Sequence, residues 1–203
     1  MKSNGDDFKS KVVREAATLL YFGAEKEYKQ AKLKAAETFG VSFLPSNLEV
    51  ALELDRIAEE KEGSARKERL VLMRQEALKV MKVLEAFCPL LIGSVWRGTI
   101  RFGSDIDLAV YAEEPEQVAQ TLKESDVKIS RAGWTRVNKQ GKTLSSYHIH
   151  AETGKFPLEI VVRSLEEAGK KRKCEVFGDE IKGLKATELE RLLREHPTRQ
   201  FLP

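Results

Sequence analysis

Along the first 87 residues, apolar positions recur every three or four residues, which is the period of an amphipathic helix. One such stripe precedes Gly23, whose flexible backbone favours a break. A second helix is predicted over residues 24–39, and a short linker over residues 40–45. The beginning of the chain is therefore predicted to be almost wholly helical.

A third helix is predicted from a capping pattern. Ser46 and Glu49 stand just before an apolar stripe, at the spacing that lets the hydroxyl and the carboxylate each bind a free backbone amide of the first turn. This helix is expected to end at Gly63. A fourth is expected over residues 65–87, until Pro89 stops it.

From residue 90 the apolar runs become short and rich in β-branched residues, which is typical of strands. The predicted strands cover residues 90–93, 106–111, 127–137, 144–152 and 158–163. A short helix over residues 115–124 follows the second strand, and the last two strands are expected to form a hairpin. A second capping pattern, from Thr187 to Glu190, predicts a C-terminal helix.

This order of elements predicts an α+β protein. A helical N-terminal module is expected over residues 1–63. A mixed β-sheet flanked by helices, with the C-terminal helix, is expected over residues 64–203.

The composition is that of a globular protein with a highly charged surface. Of 203 residues, 41% are hydrophobic and 33% are charged, and 35 basic against 32 acidic residues give a net charge of +3. Any contact with nucleic acid must therefore come from a local basic patch. The wealth of Lys, Arg and Glu beside few Cys and Met is similar to a heat-adapted composition.

Neither a disulfide nor a structural zinc site is expected, because Cys88 and Cys174 lie far apart and in no ligand spacing. Both thiols are expected to be free and buried. The polar N-terminus has no signal-peptide core, and no apolar run reaches the length of a membrane span. We therefore expect a soluble protein of the cytoplasm.

The candidate chemistry lies between residues 93 and 107. An apolar strand ends at Gly93 and Ser94, where glycine permits close approach of a ligand and a helical turn would offer free amides to an anion. The next strand opens with Asp105 and Asp107, whose side chains share one face roughly 7 Å apart. Paired carboxylates favour a cation between them, and hard oxygen ligands suit Mg²⁺ or Mn²⁺.

Each half of this pattern also has an ordinary structural interpretation. A Gly-Ser pair after a strand is commonly only a turn, and Asp-x-Asp at a strand start is commonly a solvated edge or a helix cap. Together the two halves favour an anion cradle that faces a divalent-metal pair, which is the apparatus of nucleotidyl transfer.

The same segment resembles a known signature. Gly93-Ser94, a spacer and Asp105-x-Asp107 within apolar strand residues look like the motif of the DNA polymerase beta-like nucleotidyltransferase superfamily. The motif is especially similar to that of the minimal nucleotidyltransferases of archaea and bacteria, and it also resembles the catalytic core of CCA-adding enzymes. The resemblance implies a nucleotidyltransferase-type mixed sheet and leaves the N-terminal helices unexplained. CCA-adding enzymes carry larger RNA-binding regions than this chain has room for.

The resemblance also implies a third carboxylate on a neighbouring strand. Glu159 is the acid embedded in the apolar run of residues 157–162, where an acid is costly without a partner. Asp105, Asp107 and Glu159 would then hold Mg²⁺ or Mn²⁺ and promote attack of an acceptor hydroxyl on the α-phosphorus of a nucleoside triphosphate. Many relatives carry Asp at this position, and the ordinary alternative for Glu159 is a solvated edge position.

Further residues are expected around the nucleotide. Gly93 and Ser94 would cradle its β- and γ-phosphates, Arg97 and Arg101 would neutralise phosphate charge, and Ser104 is assigned to the same nucleotide-binding group. For Arg101 the alternative is ordinary surface solvation.

His148 is a further candidate residue. His148 and His150 share one strand face, and a two-residue turn at Thr153 and Gly154 would place His148 opposite Glu159. The alternative is a hydrogen-bonded structural histidine.

An RNA acceptor would need a basic patch with aromatic residues. Two groups are candidates, residues 170–173 and a group around Arg131, Trp134, Arg136, Lys139 and Lys142, with solvated surface charge as the alternative.

Three functions are therefore considered. They are nucleotide transfer to RNA such as a tRNA-like 3′ end, transfer to a protein side chain as in AMPylating toxin–antitoxin proteins, and a degenerate module that binds nucleotide or RNA without turnover.

Overall fold

The computed structural model describes residues 4–125, 127–139 and 142–203. The chain divides into two compact units. The first comprises Met1–Arg66, Lys173–Glu180 and Pro203, and the second comprises Lys67–Arg172 and Ile181–Leu202. The division into an N-terminal module and a catalytic domain at residue 63 stays a prediction.

Helices and strands follow each other in the order expected of an α+β chain. The helices of the described residues are α1 (Asn4–Tyr21), α2 (Tyr28–Thr38), α3 (Asn47–Val83), α4 (Gly93–Arg97), α5 (Pro115–Glu124) and α6 (Ala186–Glu195). The strands are β1 (Leu90–Ile92), β2 (Ile106–Tyr111), β3 (Lys128–Lys139), β4 (Lys142–Thr153) and β5 (Phe156–Arg163).

In the first unit, helices α1 and α2 pack together around small and aliphatic side chains. The predicted capping pattern is confirmed, because Glu49 Oε2 accepts a hydrogen bond from Ser46 N (2.8 Å) and Ser46 Oγ accepts one from Glu49 N (3.2 Å). The prediction of a helix from residue 24 is wrong, since α2 begins at Tyr28.

The predicted break at Gly63 is confirmed, because Gly63 has the non-helical angles φ 54° and ψ −135° and two helical segments meet there at a kink within α3. One other prediction about the helical region needs correction. The helix does not reach Phe87, because α3 ends at Val83 and a short 3-10 helix over Glu85–Phe87 follows. The expected burial of both cysteines is also wrong. Cys88, which ends this 3-10 turn in a left-handed backbone conformation, is exposed. Cys174 is half-buried.

The second unit contains a five-stranded sheet with the order β1-β2-β5-β4-β3. Strands β2 and β5 are parallel and the other neighbours are antiparallel, so the sheet is mixed, as predicted. The bounds of β2 and α5 agree with the prediction, and β4 and β5 form the predicted hairpin. The predicted turn is wrong, because Thr153 pairs with Phe156 and the turn residues are Gly154 and Lys155.

One face of this sheet forms the core of the unit. Leu108, Ile160 and Ile149 point into it from three neighbouring strands and are fully buried. Because strand side chains alternate, Asp107, Glu159 and His148 lie on the other face, where they remain partly exposed. Burial of every second residue in the core therefore determines which side chains lie on the other face of the sheet.

Helix α6 begins earlier than the sequence predicted. Its first turn is capped by Glu188, whose Oε2 accepts a hydrogen bond from Lys185 N (2.8 Å), so the predicted capping box from Thr187 to Glu190 is wrong. The chain is fixed just before the helix, where the backbones of Leu184 and Leu91 exchange two hydrogen bonds of 2.9 Å. Among the described residues, no helix combines the length and the apolar character that a membrane crossing needs.

Candidate active site

Three carboxylates converge on the partly exposed face of the sheet. Asp107 on β2 pairs directly with Glu159 on the parallel strand β5. Asp105 stands two residues before Asp107 and therefore projects from the same face. Carboxylate oxygens of Asp105, Asp107 and Glu159 all lie within 4.8 Å of one another. The sequence predicted this set, and the fold brings it together.

The convergence concentrates negative charge in a partly buried place. Burial, followed by the charges of Asp105 and Glu159, raises the pKa of Asp107 from 3.8 to about 8. Burial and the charge of Glu159 also raise the pKa of Asp105, while its own backbone, Arg101 and His150 act in the opposite direction. A cation among these oxygens would remove the repulsion. A set of three carboxylates fits a hard divalent ion such as Mg²⁺ or Mn²⁺.

The Gly93-Ser94 segment adjoins this carboxylate set. Ile92, at the end of β1, pairs with Asp107, and helix α4 begins at Gly93. Gly93 has φ 68°, in the left-handed region that favours glycine. A Cβ atom at this position would overlap Asp107 Oδ2 and lie 2.7 Å from Asp107 Cγ. Gly93 therefore lies directly against the carboxylate of Asp107, and the close approach of a ligand at Gly93 stays a prediction.

The loop that leads to Asp105 is held by a local turn. Arg101 N donates a hydrogen bond to Ser104 Oγ (2.9 Å), and Ser104 N donates one to Arg101 O (3.0 Å). The side chains of Arg101 and Ser104 are partly exposed beside Asp105. The hydroxyl of Ser104 thus shapes the loop, and the nucleotide-binding roles of both residues stay predictions.

Arg97 contacts both its neighbour in α4 and the C-terminal segment. Arg97 is buried, with its guanidinium 4.5 Å from the ring centroid of Trp96, and its Nη1 donates a hydrogen bond to Phe201 O (3.0 Å). Phe201 N in turn donates to Arg97 O (2.9 Å). These contacts tie helix α4 to the C-terminal segment. The predicted role of Arg97 in phosphate binding is untested and has no support from them.

His148 lies beside the carboxylates, although by a different register from the predicted one. Because the hairpin turn is displaced, His150 pairs with Glu159 and His148 pairs with Val161. A shift of two residues keeps the same face. His148 therefore reaches Glu159 diagonally, with 2.7 Å between His148 Nδ1 and Glu159 Oε1.

Ser146 is a polar residue of this face that the sequence analysis missed. Its Oγ lies 2.6 Å from His148 Nε2. The alternation of Ser146, His148 and His150 along β4 was visible in the sequence and places all three on one face. The rings of His148 and His150 stack with centroids 6.3 Å apart.

The two basic groups that the sequence suggested are partly described. Arg131 is exposed and pairs with His150, and Trp134 is 57% exposed with its ring edge against Tyr147. Lys170, Lys171 and Lys173 are exposed, whereas Arg172 forms an ion pair with Glu167 (2.5 Å). The side chains of Lys139 and Lys142 lie outside the described residues.

Comparison with known proteins gives only distant structural likeness. No protein-family model and no curated protein matches the chain. A structure of a cytoplasmic RNA terminal U-transferase is 14% identical with a TM-score of 0.34, and the match covers 54% of this chain and 34% of that chain. A structure of the GLD-2/RNP-8 complex is 12% identical with a TM-score of 0.35, covering 60% and 40%. The chain thus spans well under two thirds of either chain, and we infer no function from this likeness.

Proposed function

We propose that this chain is a metal-dependent nucleotidyltransferase of the DNA polymerase beta-like superfamily, close to the minimal enzymes of archaea and bacteria. One observation carries the proposal. Asp105, Asp107 and Glu159 gather their carboxylates within 4.8 Å of one another, directly against the backbone at Gly93. Neither Gly93-Ser94 nor Asp105-x-Asp107 alone distinguishes an active site from an ordinary turn. Contact between the two is what the resemblance implies.

The proposed reaction moves a nucleoside monophosphate from a nucleoside triphosphate to a hydroxyl group. Asp105, Asp107 and Glu159 would hold Mg²⁺ or Mn²⁺, which when bound polarises phosphate oxygens and neutralises developing charge. The acceptor oxygen forms a bond to the α-phosphorus, and pyrophosphate leaves. Glu159, at the edge of the carboxylate set nearest β4, would receive the acceptor proton. Gly93 and Ser94 would contact the phosphates.

Two classes of acceptor follow from the proposed chemistry. RNA, such as a tRNA-like 3′ end, is favoured by the exposed Arg131, which pairs with His150 on the carboxylate-bearing face of the sheet. A hydroxyl on a protein side chain is the alternative acceptor. A module without turnover is disfavoured, because all three carboxylates are present and converge.

A labelling experiment tests the proposal. Purified chain with Mg²⁺ or Mn²⁺ is incubated with nucleoside triphosphates labelled at the α-phosphate, once with total RNA and once with total protein. Label is expected in one acceptor pool and is expected to disappear with Asp107→Ala. Glu113→Ala is the matched control, because Glu113 is an exposed acid just beyond the end of β2. Equal labelling by wild type and Asp107→Ala would contradict the proposed function.

A further inference from the structure

Strands β3 and β4 form a long antiparallel ribbon that extends past the rest of the sheet. β3 pairs with β4 as far as Lys139 and Lys142, whereas the pairing of β5 with β4 stops at Tyr147. The ribbon therefore extends beyond β5 by about five residues, or roughly 17 Å. Residues 134–136 are consecutive and all exposed, so neither face of the ribbon is covered there.

The charge of the ribbon differs from that of the whole chain. Its two strands carry five of the 35 basic residues and only one of the 32 acidic residues. That acid, Glu152, lies at the base of the ribbon, where it pairs with Lys128. The rest of the chain is therefore almost neutral, and its positive charge is concentrated on an uncovered ribbon. Such a surface fits a polyanion.

The ribbon shares the carboxylate-bearing face of the sheet. Arg131 on β3, His150 on β4 and Glu159 on β5 form one row of paired residues across three strands. Because neighbouring strands lie about 4.8 Å apart, the backbones of Arg131 and Glu159 are roughly 10 Å apart. From this row toward the end of the ribbon, the described residues of this face include no acid. A polyanion bound along the ribbon can therefore place its end at the carboxylates.

The same face offers planar rings and open space to unpaired bases. The partly exposed rings of His148 and His150 are nearly parallel, with an interplanar angle of 19° and centroids 6.3 Å apart. Aromatic rings, including imidazole, are the surfaces on which proteins stack the bases of single strands. Gly133 pairs with His148, and a Cβ atom there would meet nothing within 4 Å. The space beside the His148 ring is therefore open.

Arg163 supplies a second cation on this face. It is partly exposed and stands four residues after Glu159 on β5, roughly 13 Å along the strand. Burial, followed by the charge of Arg172, lowers the pKa of Arg163, and Glu167 offsets part of this effect. An anion beside Arg163 would relieve the repulsion between the two guanidinium groups. Arg131 and Arg163 thus lie on either side of the histidine rings, with backbones roughly 17 Å apart.

We propose that the carboxylate-bearing face of the ribbon binds the 3′-terminal nucleotides of a single-stranded RNA. The inference rests on the proposed function and names its acceptor. Arg131 and Arg163 bind phosphates of the strand, and the two histidine rings lie against its bases. The terminal hydroxyl then lies toward Glu159. Because phosphate contacts position a strand without reading its sequence, the affinity should depend little on base sequence.

Binding is measured by fluorescence anisotropy of a short labelled single-stranded RNA of mixed sequence, without metal ion or nucleotide. Arg131→Gln and Arg163→Gln should each weaken binding about tenfold, the usual net contribution of a hydrogen bond to a charged group. Each should also lower the slope of log affinity against log salt by roughly 0.7, the contribution of one phosphate contact on a single strand. A residue that only supports the fold would leave this slope unchanged. Thermal unfolding of each variant verifies that it is folded.

Matched variants on the two faces of the ribbon test which face is used. Gly133→Glu places a carboxylate in the open space of the proposed face and should weaken binding at least as much as Arg131→Gln. Ala132→Glu makes the same change of charge at the adjacent exposed residue, which lies on the opposite face. Arg136→Gln is the control for Arg131→Gln, because Arg136 is exposed on that opposite face as well. Both controls should bind RNA nearly as tightly as wild type.

The outcomes distinguish this inference from the proposed function. Equal weakening by the variants of both faces, or equally tight binding of a blunt RNA duplex, overturns the assignment of this face to a single strand. A wild type that transfers nucleotide to protein but does not bind RNA overturns the inference and leaves the proposed function intact. RNA binding with the expected dependence on face, but without nucleotide transfer to any acceptor, supports the RNA-binding face and contradicts the proposed function.

Discussion

Gly93 and Asp107 lie so close together that any side chain on residue 93 would overlap the Asp107 carboxylate. The contact follows from strand pairing, since Ile92 at the end of β1 pairs with Asp107 and the next residue turns into α4. The left-handed φ of 68° at Gly93 makes that turn possible. Glycine is therefore required at residue 93 for two reasons. Its backbone is left-handed, and a Cβ atom would overlap Asp107, a candidate metal ligand.

Gly93→Ala is expected to lower both stability and nucleotide transfer. The left-handed conformation alone costs a non-glycine residue about 1–3 kcal/mol, and the added Cβ atom also displaces the Asp107 carboxylate. The free energy of unfolding is measured by urea denaturation, and transfer by the labelling assay.

Gly23→Ala is the matched control for this substitution. Gly23 has nearly the same φ, 70°, but a Cβ atom there would meet nothing within 4 Å. It should lose stability through strain alone and keep full transfer activity. Equal loss of activity in the two variants would contradict a specific contact between residue 93 and Asp107.

Asp107→Asn is expected to change how stability depends on pH in the metal-free chain. The pKa of Asp107 is raised from 3.8 to about 8 in the folded state, so between these values the folded chain binds a proton that the unfolded chain has released. This contribution to stability is complete below pH 3.8 and is lost as pH rises toward 8. Asparagine does not titrate and lacks this pH dependence. The variant should therefore become progressively more stable than wild type between pH 4 and pH 8, as measured by thermal unfolding.

A divalent ion should make the wild-type chain more stable than Asp107→Asn. At pH 8 in Mg²⁺ or Mn²⁺, the wild-type carboxylate can bind the cation and its melting temperature should rise, whereas Asp107→Asn should respond much less. Glu113→Gln, which removes an exposed acid outside the site, should behave like wild type in both experiments. If the melting temperatures of Asp107→Asn and wild type shift equally with the ion, Asp107 is not a ligand.

The sequence predicted the parts of the site that depend on strand alternation. Asp105 and Asp107 had to share a face once β2 was recognised, whereas Glu159, the acid within a later apolar run, was implied by the resemblance. The predicted face of a strand residue also stays correct when the pairing register is wrong by two residues. The turn was placed one residue too early, at Thr153, yet His148 still lies beside Glu159 because the resulting slip of two residues keeps the face.

Contacts between residues far apart in the sequence could not be predicted in the same way. The side chain of Arg97 bonds to Phe201, whose position depends on the C-terminal segment, and no local pattern predicted that contact. Its assignment to phosphate stays a prediction. Likewise, the capping pattern from Thr187 is a valid local signal. It is overridden because Leu184 pairs with Leu91 and fixes where α6 begins.

Glu49→Gln is expected to weaken the start of α3 in a pH-dependent way. The side chain of Lys9, followed by the backbone amide of Ser46, lowers the pKa of Glu49 from 4.5 to about 2. This depressed pKa contributes stability that is present above pH 4.5 and is lost as pH falls toward 2. Hydrogen exchange of the Glu49 and Val50 amides should therefore be faster in the variant at pH 6, and the difference should vanish near pH 2.

Ser46→Ala tests the other half of the same cap. It removes the oxygen that accepts from Glu49 N, at a cost of about 1 kcal/mol. It also removes the hydroxyl that donates to Glu49 Oε2 (2.8 Å) and helps to lower the pKa of Glu49. Glu37→Gln, an exposed acid near the end of α2, should leave amide exchange at the start of α3 unchanged. If Glu49→Gln and Glu37→Gln gave the same pH dependence, the cap would not be the cause.

Arg74 is a fully buried arginine whose guanidinium binds only backbone carbonyl groups. Its nitrogens donate to Val95 O (3.1 Å) and Trp96 O (3.0 Å) in the last turn of α4, and to Pro197 O (2.7 Å) and Arg199 O (2.9 Å) after α6. Burial lowers its pKa to about 10, so it remains charged at neutral pH. A cation at the end of α4 is favourable because helix C-terminal carbonyls carry partial negative charge.

Arg74→Met should therefore destabilise the second unit and disturb the last turn of α4, although residue 74 lies outside the motif. Methionine fills similar space but leaves buried carbonyl oxygens without donors, each at about 1–3 kcal/mol, so a loss of at least about 3 kcal/mol is expected in urea denaturation. Arg191→Met, at an exposed position on α6, should change stability by less than about 0.5 kcal/mol. Because α4 carries Gly93, Arg74→Met should also raise the KM for nucleotide, measured where the variant is still folded. An unchanged KM together with the full stability loss would show that Arg74 supports the fold without positioning the Gly93 turn.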